Sequence, residues 1–357
     1  MPIQAIVQPS IEAVEFIDTP IPTPKPHEVV IKVATAASNP KDWKLTIWQN
    51  LPHNSGDDLA GTVHSVGASV QDFKPGDRVF AYHKPLAENG AYAEYAVAPA
   101  YATAHLPESV SFEEGATVPT GAFTAAVGLF ISLGIPAPFL LSSEAAPTGK
   151  KPILIYGVTS AVGSFAAKFA RLAGLGPIIG VAGNAGDFAK GIVDHVVDYR
   201  EGEDAVVASV EAFLEKEGLG KKVPIVFDAI SSGGSFEATA RFIDAQGKVT
   251  TTMPPAMFAR EKEAFSYPEG VAFTWTQASV IFNQYTDFAH VFSRYIGRLL
   301  ADGRLKGHPF EILPGGLKSV VAGLQNLQSG KASAVKYVYR IEETGKVDLG
   351  LFEAKKA

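Results

Sequence analysis

The clearest pattern of apolar and polar positions begins at Ile153. Four apolar residues, Ile153–Tyr156, predict a short strand that is buried on both faces. Residues 157–163 are mostly small and predict a tight turn, and from Ser164 onward phenylalanine, leucine and alanine recur at helical spacing. A strand, a small-residue turn and a helix in this order predict the start of a nucleotide-binding βαβ unit.

The residues after this unit repeat the alternation of strand and helix. The pattern predicts strands over 177–182, 194–199 and 223–227, with helices over 188–192 and 204–217 between them. Such alternation predicts a parallel, doubly wound sheet. The turn lacks the glycines of a full G-x-G-x-x-G at 159–161, so the following pattern, more than the turn, favours a dinucleotide site over an ordinary turn.

The two ends of the chain share a different pattern. Short strands separated by proline-rich and glycine-rich turns are predicted over 3–7, 14–17, 29–34, 60–66, 78–82 and 91–97. A strand over 309–313, a helix over 315–328 and a strand over 337–341 follow the α/β region. We therefore predict an irregular barrel or sandwich formed by residues 1–123 and 295–357, with an inserted α/β domain over 124–294.

Composition narrows the class of protein. The chain has 357 residues, of which 46% are hydrophobic and 19% charged, as in globular proteins with room for two domains. The net charge of −6, without a basic run, predicts no nucleic-acid or membrane partner. With no leader pattern and no long apolar run, a cytoplasmic enzyme is expected. The absence of cysteine excludes disulfides, thiolate nucleophiles and thiolate zinc ligands.

Several ordered motifs carry a resemblance to a known family. Residues 56–80, including the turn Pro75-Gly76-Asp77-Arg78-Val79, resemble zinc-independent, quinone-oxidoreductase-like members of the medium-chain dehydrogenase/reductases. Residues 39–43, 90–95, 157–163 and 198–200 also match. The segment 39–43 and the long loop over 134–152 look most like fungal members, which include trans-acting enoyl reductases of polyketide synthases. The resemblance implies a split GroES-like β-barrel domain with an inserted Rossmann domain.

The missing zinc ligands bear on the chemistry. Zinc alcohol dehydrogenases resemble this sequence but place a cysteine near Asn39 and a His-Glu pair at Asp57 and Asp58. No metal is therefore expected, and hydride transfer to an activated C=C bond or a quinone is favoured. We predict an NADPH-dependent reductase of α,β-unsaturated carbonyls, with a trans-acting enoyl reductase as one form. An aldehyde or carbonyl reductase and a non-catalytic nucleotide-binding protein remain as alternatives.

Cofactor contacts are expected along the turn and at the end of the second strand of the α/β domain. The turn residues expected to bind the cofactor, largely through backbone N–H groups facing its pyrophosphate, are Gly157, Thr159, Ser160, Ala161, Val162 and Gly163. The strand over 177–182 ends in Gly183-Asn184 without an acidic residue, which leaves room for a 2′-phosphate and favours NADPH. Asn184 is a candidate donor to that phosphate, Tyr199 is expected beside it, and Lys190 is the nearest cation in the sequence.

The resemblance also implies residues near the nicotinamide and the substrate. Thr124 and Ile230 match positions near the nicotinamide, and Ser333 and Lys336 match a segment that closes over the cofactor.

In the quinone reductases that this sequence resembles, an asparagine and a tyrosine lie five residues apart at the positions of Asn39 and Lys44, so the resemblance implies these two as the catalytic candidates, with a lysine in place of the tyrosine. In such a reaction the developing enolate needs a hydrogen-bond donor and the α-carbon needs a proton. Tyr82 and His83 are alternative donors. The expected partner is a small or carrier-bound unsaturated carbonyl compound, and the chain is expected to be a monomer or a homodimer.

Overall fold

The computed structural model of the chain describes residues 1–141 and 150–353. The centre of the long loop predicted over 134–152 lies outside the described residues. Within them the chain forms sixteen strands: β1 (Ile3–Val7), β2 (Ala13–Asp18), β3 (Glu28–Ala37), β4 (Asp58–Val66), β5 (Arg78–Tyr82), β6 (Tyr95–Pro99), β7 (Thr103–His105), β8 (Ile153–Tyr156), β9 (Ile178–Ala182), β10 (His195–Asp198), β11 (Val223–Asp228), β12 (Ile243–Thr251), β13 (Ala272–Trp275), β14 (Phe310–Ile312), β15 (Lys336–Arg340) and β16 (Gly350–Glu353).

The same residues form ten α-helices. They are α1 (Pro40–Gln49), α2 (Phe112–Ala116), α3 (Pro119–Ala126), α4 (Ala161–Leu172), α5 (Gly186–Lys190), α6 (Glu203–Lys216), α7 (Ser235–Phe242), α8 (Pro255–Phe258), α9 (Thr286–Ala301) and α10 (Val320–Gln328). In the part of the chain that the structure describes, no helix is both long and apolar enough to span a bilayer.

The chain divides into two compact units. The flanking unit comprises Met1–Thr120 and Ser279–Ala357, and the central unit comprises Gly121–Ala278. The second boundary differs from the prediction, which assigned residues up to 294 to the inserted domain. Helix α9 and the segment before it explain the difference, because Ser293 Oγ donates to the Tyr101 carbonyl (3.2 Å) and the Phe282 ring lies 5.1 Å from that of Tyr82, both in the flanking unit.

The flanking unit contains two sheets. Strands β14-β15-β3-β4-β5-β7 form the main sheet in this order, and β6 pairs with β3 as its seventh strand. A second sheet has the order β1-β2-β16. Apolar side chains from both sheets and from α10 form one buried core, which includes Phe16, Ile31 and Leu324. The strand predicted over 91–97 is shifted to β6, since Ala91 N–H donates to the Gly56 carbonyl before the strand begins.

The central unit is a parallel sheet with helices between its strands. Its strand order is β10-β9-β8-β11-β12-β13, and every pairing is parallel. This is the Rossmann order, with the first strand of the unit in the middle of the sheet. The predicted doubly wound sheet is therefore confirmed. Strand β8 is buried along its whole length, as its run of four apolar residues predicts.

Candidate active site

Helix α1 positions the candidate catalytic residues of the flanking unit, and the sequence interpretation did not predict this helix. Asn39 precedes it in an extended conformation, and Pro40 occupies the first helical position, where no N–H is needed. Asp42 accepts from the Asn39 backbone N–H at 2.9 Å, as a carboxylate in the first turn of a helix often does. The backbone of Asn39 is thus fixed before its side chain makes any contact.

The side chain of Asn39 lies in a buried polar cluster with Asp58 and Lys336. Its Nδ2 donates to Asp58 Oδ2 at 2.9 Å, and its Oδ1 accepts from Lys336 Nζ at 3.0 Å. Lys336 also forms a short ion pair with Asp58. Asn39, Asp58 and Lys336 are 6%, 0% and 3% exposed. We call these three residues the Asn39 cluster.

The expectation that Lys336 closes over a cofactor is corrected by these contacts. Lys336 begins β15, and its ammonium is directed into the interior of the flanking unit, where Asp58 and Asn39 bind it. Burial of an ammonium is costly unless an anion and hydrogen-bond acceptors surround it, and both conditions are met here. Ser333, in the same predicted segment, is exposed, and the next residue, Ala334, has a positive φ of 49°.

Asp58 has a second set of partners. Its Oδ1 accepts from the backbone N–H of Thr120 at 2.7 Å and from the Thr120 hydroxyl at 2.6 Å. Together with Asn39 and Lys336, four donors therefore surround this carboxylate. Sequence reasoning named Asp58 only as the counterpart of a zinc-site residue and missed its role as the centre of the cluster.

Lys41, Asp42 and Asp57 form a second cluster of charged side chains, close in sequence to Asn39 and Asp58. Lys41 Nζ lies 2.7 Å from Asp42 Oδ1 and 2.5 Å from Asp57 Oδ2. Burial alone would lower the pKa of Lys41, but these two carboxylates outweigh it and raise the pKa above its ordinary value. Burial raises the pKa of Asp57 to about 7, although Lys41 opposes this rise. Asp57 therefore takes up a proton more readily than an exposed aspartate does.

Lys44 lies on α1, and its ammonium is 5.7 Å from the centre of the Trp43 ring. Its side chain is half-buried, and burial lowers its pKa from the ordinary 10.5. A lysine of lowered pKa gives up its proton more readily than a solvated one does, as a proton donor must.

The two alternative donors are less well placed. Both ring nitrogens of His83 face backbone carbonyls, Nδ1 that of Val97 at 2.6 Å and Nε2 that of Ala87 at 3.2 Å. Burial raises the pKa of Tyr82 above its ordinary value, which disfavours loss of its proton. Both residues are buried, each about 2% exposed.

In the central unit, the turn between β8 and α4 uses several of its own N–H groups. Gly157 and Val158 donate to the Val181 carbonyl, and Ser160 donates to that of Gly157. Gly163 N–H donates to the Ser160 hydroxyl at 3.0 Å, which caps the helix. The expectation that Gly157, Ser160 and Gly163 present free N–H groups is therefore corrected.

Three N–H groups of this turn remain for a ligand. Among the described residues, the backbone N–H groups of Thr159, Ala161 and Val162 donate to no protein acceptor. Ala161 and Val162 open helix α4, whose twelve residues place a positive dipole end at this point. These groups fit a phosphate-bearing cofactor, and the donors come from fewer residues than the sequence predicts.

Glycine is required at both ends of the turn. Gly157 has a φ of 75°, and a Cβ there would lie 2.2 Å from Ile230 Cγ1. A Cβ at Gly163 would lie 2.2 Å from the Gly157 carbonyl oxygen. The turn thus stays close to its own strand and leaves its outer surface to the N–H groups.

Ile230 lies over Gly157 because Asp228 fixes the loop after β11. Asp228 is fully buried, and its carboxylate accepts from the N–H groups of Ile230 (2.9 Å) and Ser231 (2.8 Å) and from the Ser235 hydroxyl (2.6 Å). Burial raises the pKa of Asp228 to about 6. Sequence reasoning named Ile230 but missed Asp228, although an aspartate followed by serine and glycine residues is a turn signal. Ile230 is itself 40% exposed.

The ends of β9 and β10 bring polar side chains together. The Tyr199 ring lies against Gly183, where a Cβ would come within 2.7 Å of the ring. Arg200 donates to Asn184 Oδ1 and binds Asp198, with its Nε 2.9 Å from Asp198 Oδ1. Sequence reasoning named Lys190 as the nearest cation and missed Arg200. Lys190 instead pairs with Asp187 at 2.9 Å.

Thr124 is the last of the predicted site residues. Thr124 lies on α3 in the central unit and is 9% exposed. Among the described residues, no group of three or more histidine, aspartate or glutamate side chains is arranged to hold a metal ion.

Comparison with known proteins adds the family. Residues 25–108 match the alcohol dehydrogenase GroES-like domain. The chain is 40% identical to the trans-enoyl reductase fsr4 of Gibberella fujikuroi over 85% of this chain and 88% of the relative. It is 28% identical to lovC of Aspergillus terreus, the enoyl reductase component of lovastatin nonaketide synthase, over 90% of this chain and 92% of the relative.

Solved structures agree with the fold. The structure of CurK enoyl reductase superposes with a TM-score of 0.77 at 20% identity and covers 94% of this chain and 98% of its own. At that identity the likeness concerns the fold, and the predicted combination of a GroES-like domain with a Rossmann domain is confirmed. The extent and identity of the match to fsr4 carry the assignment further. The chain belongs to the trans-enoyl reductases, a family within the medium-chain dehydrogenase/reductases.

Proposed function

We propose that this protein is an NADPH-dependent enoyl reductase that saturates the C=C bond of an α,β-unsaturated thioester carried by a polyketide synthase. The observation that carries the proposal is the pairing, at one helix, of a buried amide donor, Asn39, with a lysine of lowered pKa, Lys44. The family supports the reaction class, since its named members include trans-enoyl reductases and a component of a polyketide synthase.

The central unit supplies the groups that would hold the cofactor. The free N–H groups of Thr159, Ala161 and Val162 fit its pyrophosphate, and the exposed face of Ile230 fits the nicotinamide ribose. We assign Thr124 to the nicotinamide side and Ser333 to the outer edge of the cofactor.

The groups at the end of β9 favour NADPH over NADH. No carboxylate ends this strand to receive a ribose hydroxyl, whereas Asn184 and Arg200 both carry N–H donors there. Because Arg200 holds Oδ1 of Asn184, the amide NH₂ of Asn184 is left to donate to a phosphate. Tyr199, which lies against Gly183, completes this part of the site.

Asn39 stabilises the negative charge that develops in the reaction. When bound, NADPH supplies a hydride to the β-carbon of the substrate. The electron pair of the C=C bond then moves toward the thioester carbonyl, and charge accumulates on its oxygen. Asn39 Nδ2 donates one N–H to Asp58, and we assign its second N–H to this oxygen.

Lys44 completes the reduction by protonation. Its ammonium gives a proton to the α-carbon, which yields the saturated thioester and a neutral amine that solvent protonates again. The lowered pKa of Lys44 favours this transfer. In this proposal Asn39 stabilises the developing charge and Lys44 transfers the proton.

The test combines binding with product analysis. NADPH and NADH are titrated by fluorescence, and NADPH oxidation is then followed with a trans-2-enoyl N-acetylcysteamine thioester and with a saturated aldehyde of equal length. We expect tighter binding of NADPH and oxidation with the enoyl thioester alone. Oxidation with the aldehyde alone would identify a carbonyl reductase. Binding without oxidation by either compound, or by the enoyl group on an acyl carrier protein, would indicate a non-catalytic nucleotide-binding protein.

A further inference from the structure

We propose that Asp58 and Lys336 form a positioning pair that holds the carboxamide of Asn39 in one orientation, with its NH₂ group available to the substrate carbonyl. The inference rests on the enoyl reductase function proposed above. It assigns a role to Lys336 that differs from contact with the cofactor. Lys336 and Asp58 are positioning residues, because they act through Asn39.

The contacts of the Asn39 cluster distinguish the oxygen of the Asn39 amide from its nitrogen. An ammonium has only donors, so the amide atom 3.0 Å from Lys336 is the oxygen. An ionised carboxylate only accepts, so the amide atom 2.9 Å from Asp58 is the nitrogen. A flipped amide would set NH₂ against the ammonium and oxygen against the carboxylate. Both contacts would then be repulsive, and one orientation remains.

Asp58 is itself held in place. The backbone N–H and the hydroxyl of Thr120 bind Oδ1 at 2.7 and 2.6 Å, while Asn39 and Lys336 bind Oδ2. Four donors on a fully buried carboxylate leave it no freedom to rotate. Thr120 therefore holds Asp58, and Asp58 in turn holds the Asn39 amide. The direction of the remaining Nδ2 N–H is thus set before a substrate binds.

Lys336 supplies the charge that permits this arrangement. A buried carboxylate without a cation is strongly destabilised, and the Lys336 ammonium compensates Asp58 directly. Its other contact, with Asn39 Oδ1, has no use in charge compensation. The same ammonium thus compensates the charge of Asp58 and fixes the oxygen end of the Asn39 amide.

The pair and the amide are tested together by a double-mutant cycle. The variants are Lys336→Met, Asn39→Ala and the two combined, assayed for kcat and KM with the enoyl thioester and for NADPH affinity. We expect Lys336→Met to lower kcat roughly 10- to 100-fold, because a misdirected donor loses much of its effect, with NADPH affinity unchanged. In the Asn39→Ala background, Lys336→Met should cause no further loss of kcat, since the group it orients is gone.

A second variant distinguishes misdirection of the amide from misfolding caused by an uncompensated charge. The double substitution Asp58→Asn with Lys336→Met removes both buried charges, so neither is left uncompensated. It should restore the melting temperature toward that of the native protein while kcat stays low, because the amide is no longer held in one orientation. Lys318→Met is the matched control, since Lys318 Nζ donates to the Lys346 carbonyl, away from this cluster.

Three results would overturn the inference, and a fourth would overturn the proposed function as well. Native kcat in Lys336→Met, or equal losses in the presence and absence of Asn39, would show that the pair is only structural. A weakened NADPH affinity with native kcat would indicate that Lys336 contacts the cofactor instead. If the native protein itself reduces no enoyl thioester, free or carrier-bound, then the proposed function fails and this inference with it.

Discussion

The flanking unit and the central unit build their functional groups in opposite ways. In the central unit, the candidate cofactor donors are backbone N–H groups of one short turn, and the side chains there are small. In the flanking unit, the candidate catalytic amide is held by charged side chains buried in the interior. Asp58 and Lys336 are 278 positions apart in the chain. The first arrangement is a local property of the sequence, whereas the second exists only in the folded structure.

The difference also concerns energy. A turn of small residues close to its own strand is sensitive to added volume, because its neighbours are backbone atoms that cannot move aside. A buried ion pair is sensitive to loss of charge balance, and it tolerates removal of both charges better than removal of one. Substitutions in the two units should therefore destabilise the protein for different reasons.

The largest effect is expected from Gly163→Val in the central unit. Even a Cβ would lie 2.2 Å from the Gly157 carbonyl oxygen, so the turn must open. We expect loss of NADPH binding in a fluorescence titration and a decrease in stability of about 1–3 kcal/mol. Gly191→Ala is the control, because the nearest atom to its Cβ would be 3.4 Å away. Native NADPH affinity in Gly163→Val would contradict the placement of the pyrophosphate.

Lys44→Met tests the chemistry assigned to the flanking unit. We expect kcat to fall by about 100-fold while NADPH affinity is kept, since general acid catalysis typically contributes that much. Only the protonated amine donates, so native kcat should decline as pH rises through a pKa below the ordinary 10.5, and the substitution should abolish this decline. Lys25→Met, which alters an exposed lysine, is the control. An unchanged kcat would remove Lys44 from the mechanism.

Asp57→Asn tests charge balance in the same unit. The pKa of Asp57 is about 7 in the folded state against an ordinary 3.8, so the folded state binds a proton that the unfolded state has released. The free energy of unfolding should therefore decrease as pH rises from about 4 to about 7. The Asp57→Asn variant should lose this dependence on pH, measured by urea unfolding across the same pH range. Parallel pH profiles for both proteins would show that Asp57 is ionised throughout.

The smallest effect is expected from Arg200→Ala. Arg200 is exposed and already paired with Asp198, so its contribution to a 2′-phosphate should be at most about fivefold in NADPH affinity, with NADH unaffected. Lys190→Ala, which alters the nearest cation in the sequence, is the comparison. A larger loss for Lys190→Ala would favour Lys190 as the phosphate-binding cation, and equal losses for both nucleotides would make Arg200 structural.

The contrast between a local turn and a cluster of residues distant in sequence explains which parts of the molecule the sequence predicts. The βαβ unit, the parallel sheet and the glycine turn were predictable, because apolar runs and small residues appear at adjacent positions. Even there, the Ser160 hydroxyl takes up the Gly163 N–H, which is a detail of cap geometry. The Asn39 cluster was not predictable as a unit, since Asn39 and Lys336 are 297 positions apart and each alone resembles an ordinary polar residue. Helix α1 was also missed, although Asn39-Pro40 followed by Asp42 is a helix-start signal.

The central claim is that hydride is delivered to a carbon of a C=C bond, and isotope labelling tests it most directly. The protein is incubated with NADPH that carries deuterium at C4 of the nicotinamide and with an α,β-unsaturated aldehyde, which offers both a C=C and a C=O bond. The account predicts a saturated aldehyde with deuterium at the β-carbon. An unsaturated alcohol with deuterium on the carbinol carbon would contradict it and establish carbonyl reduction instead.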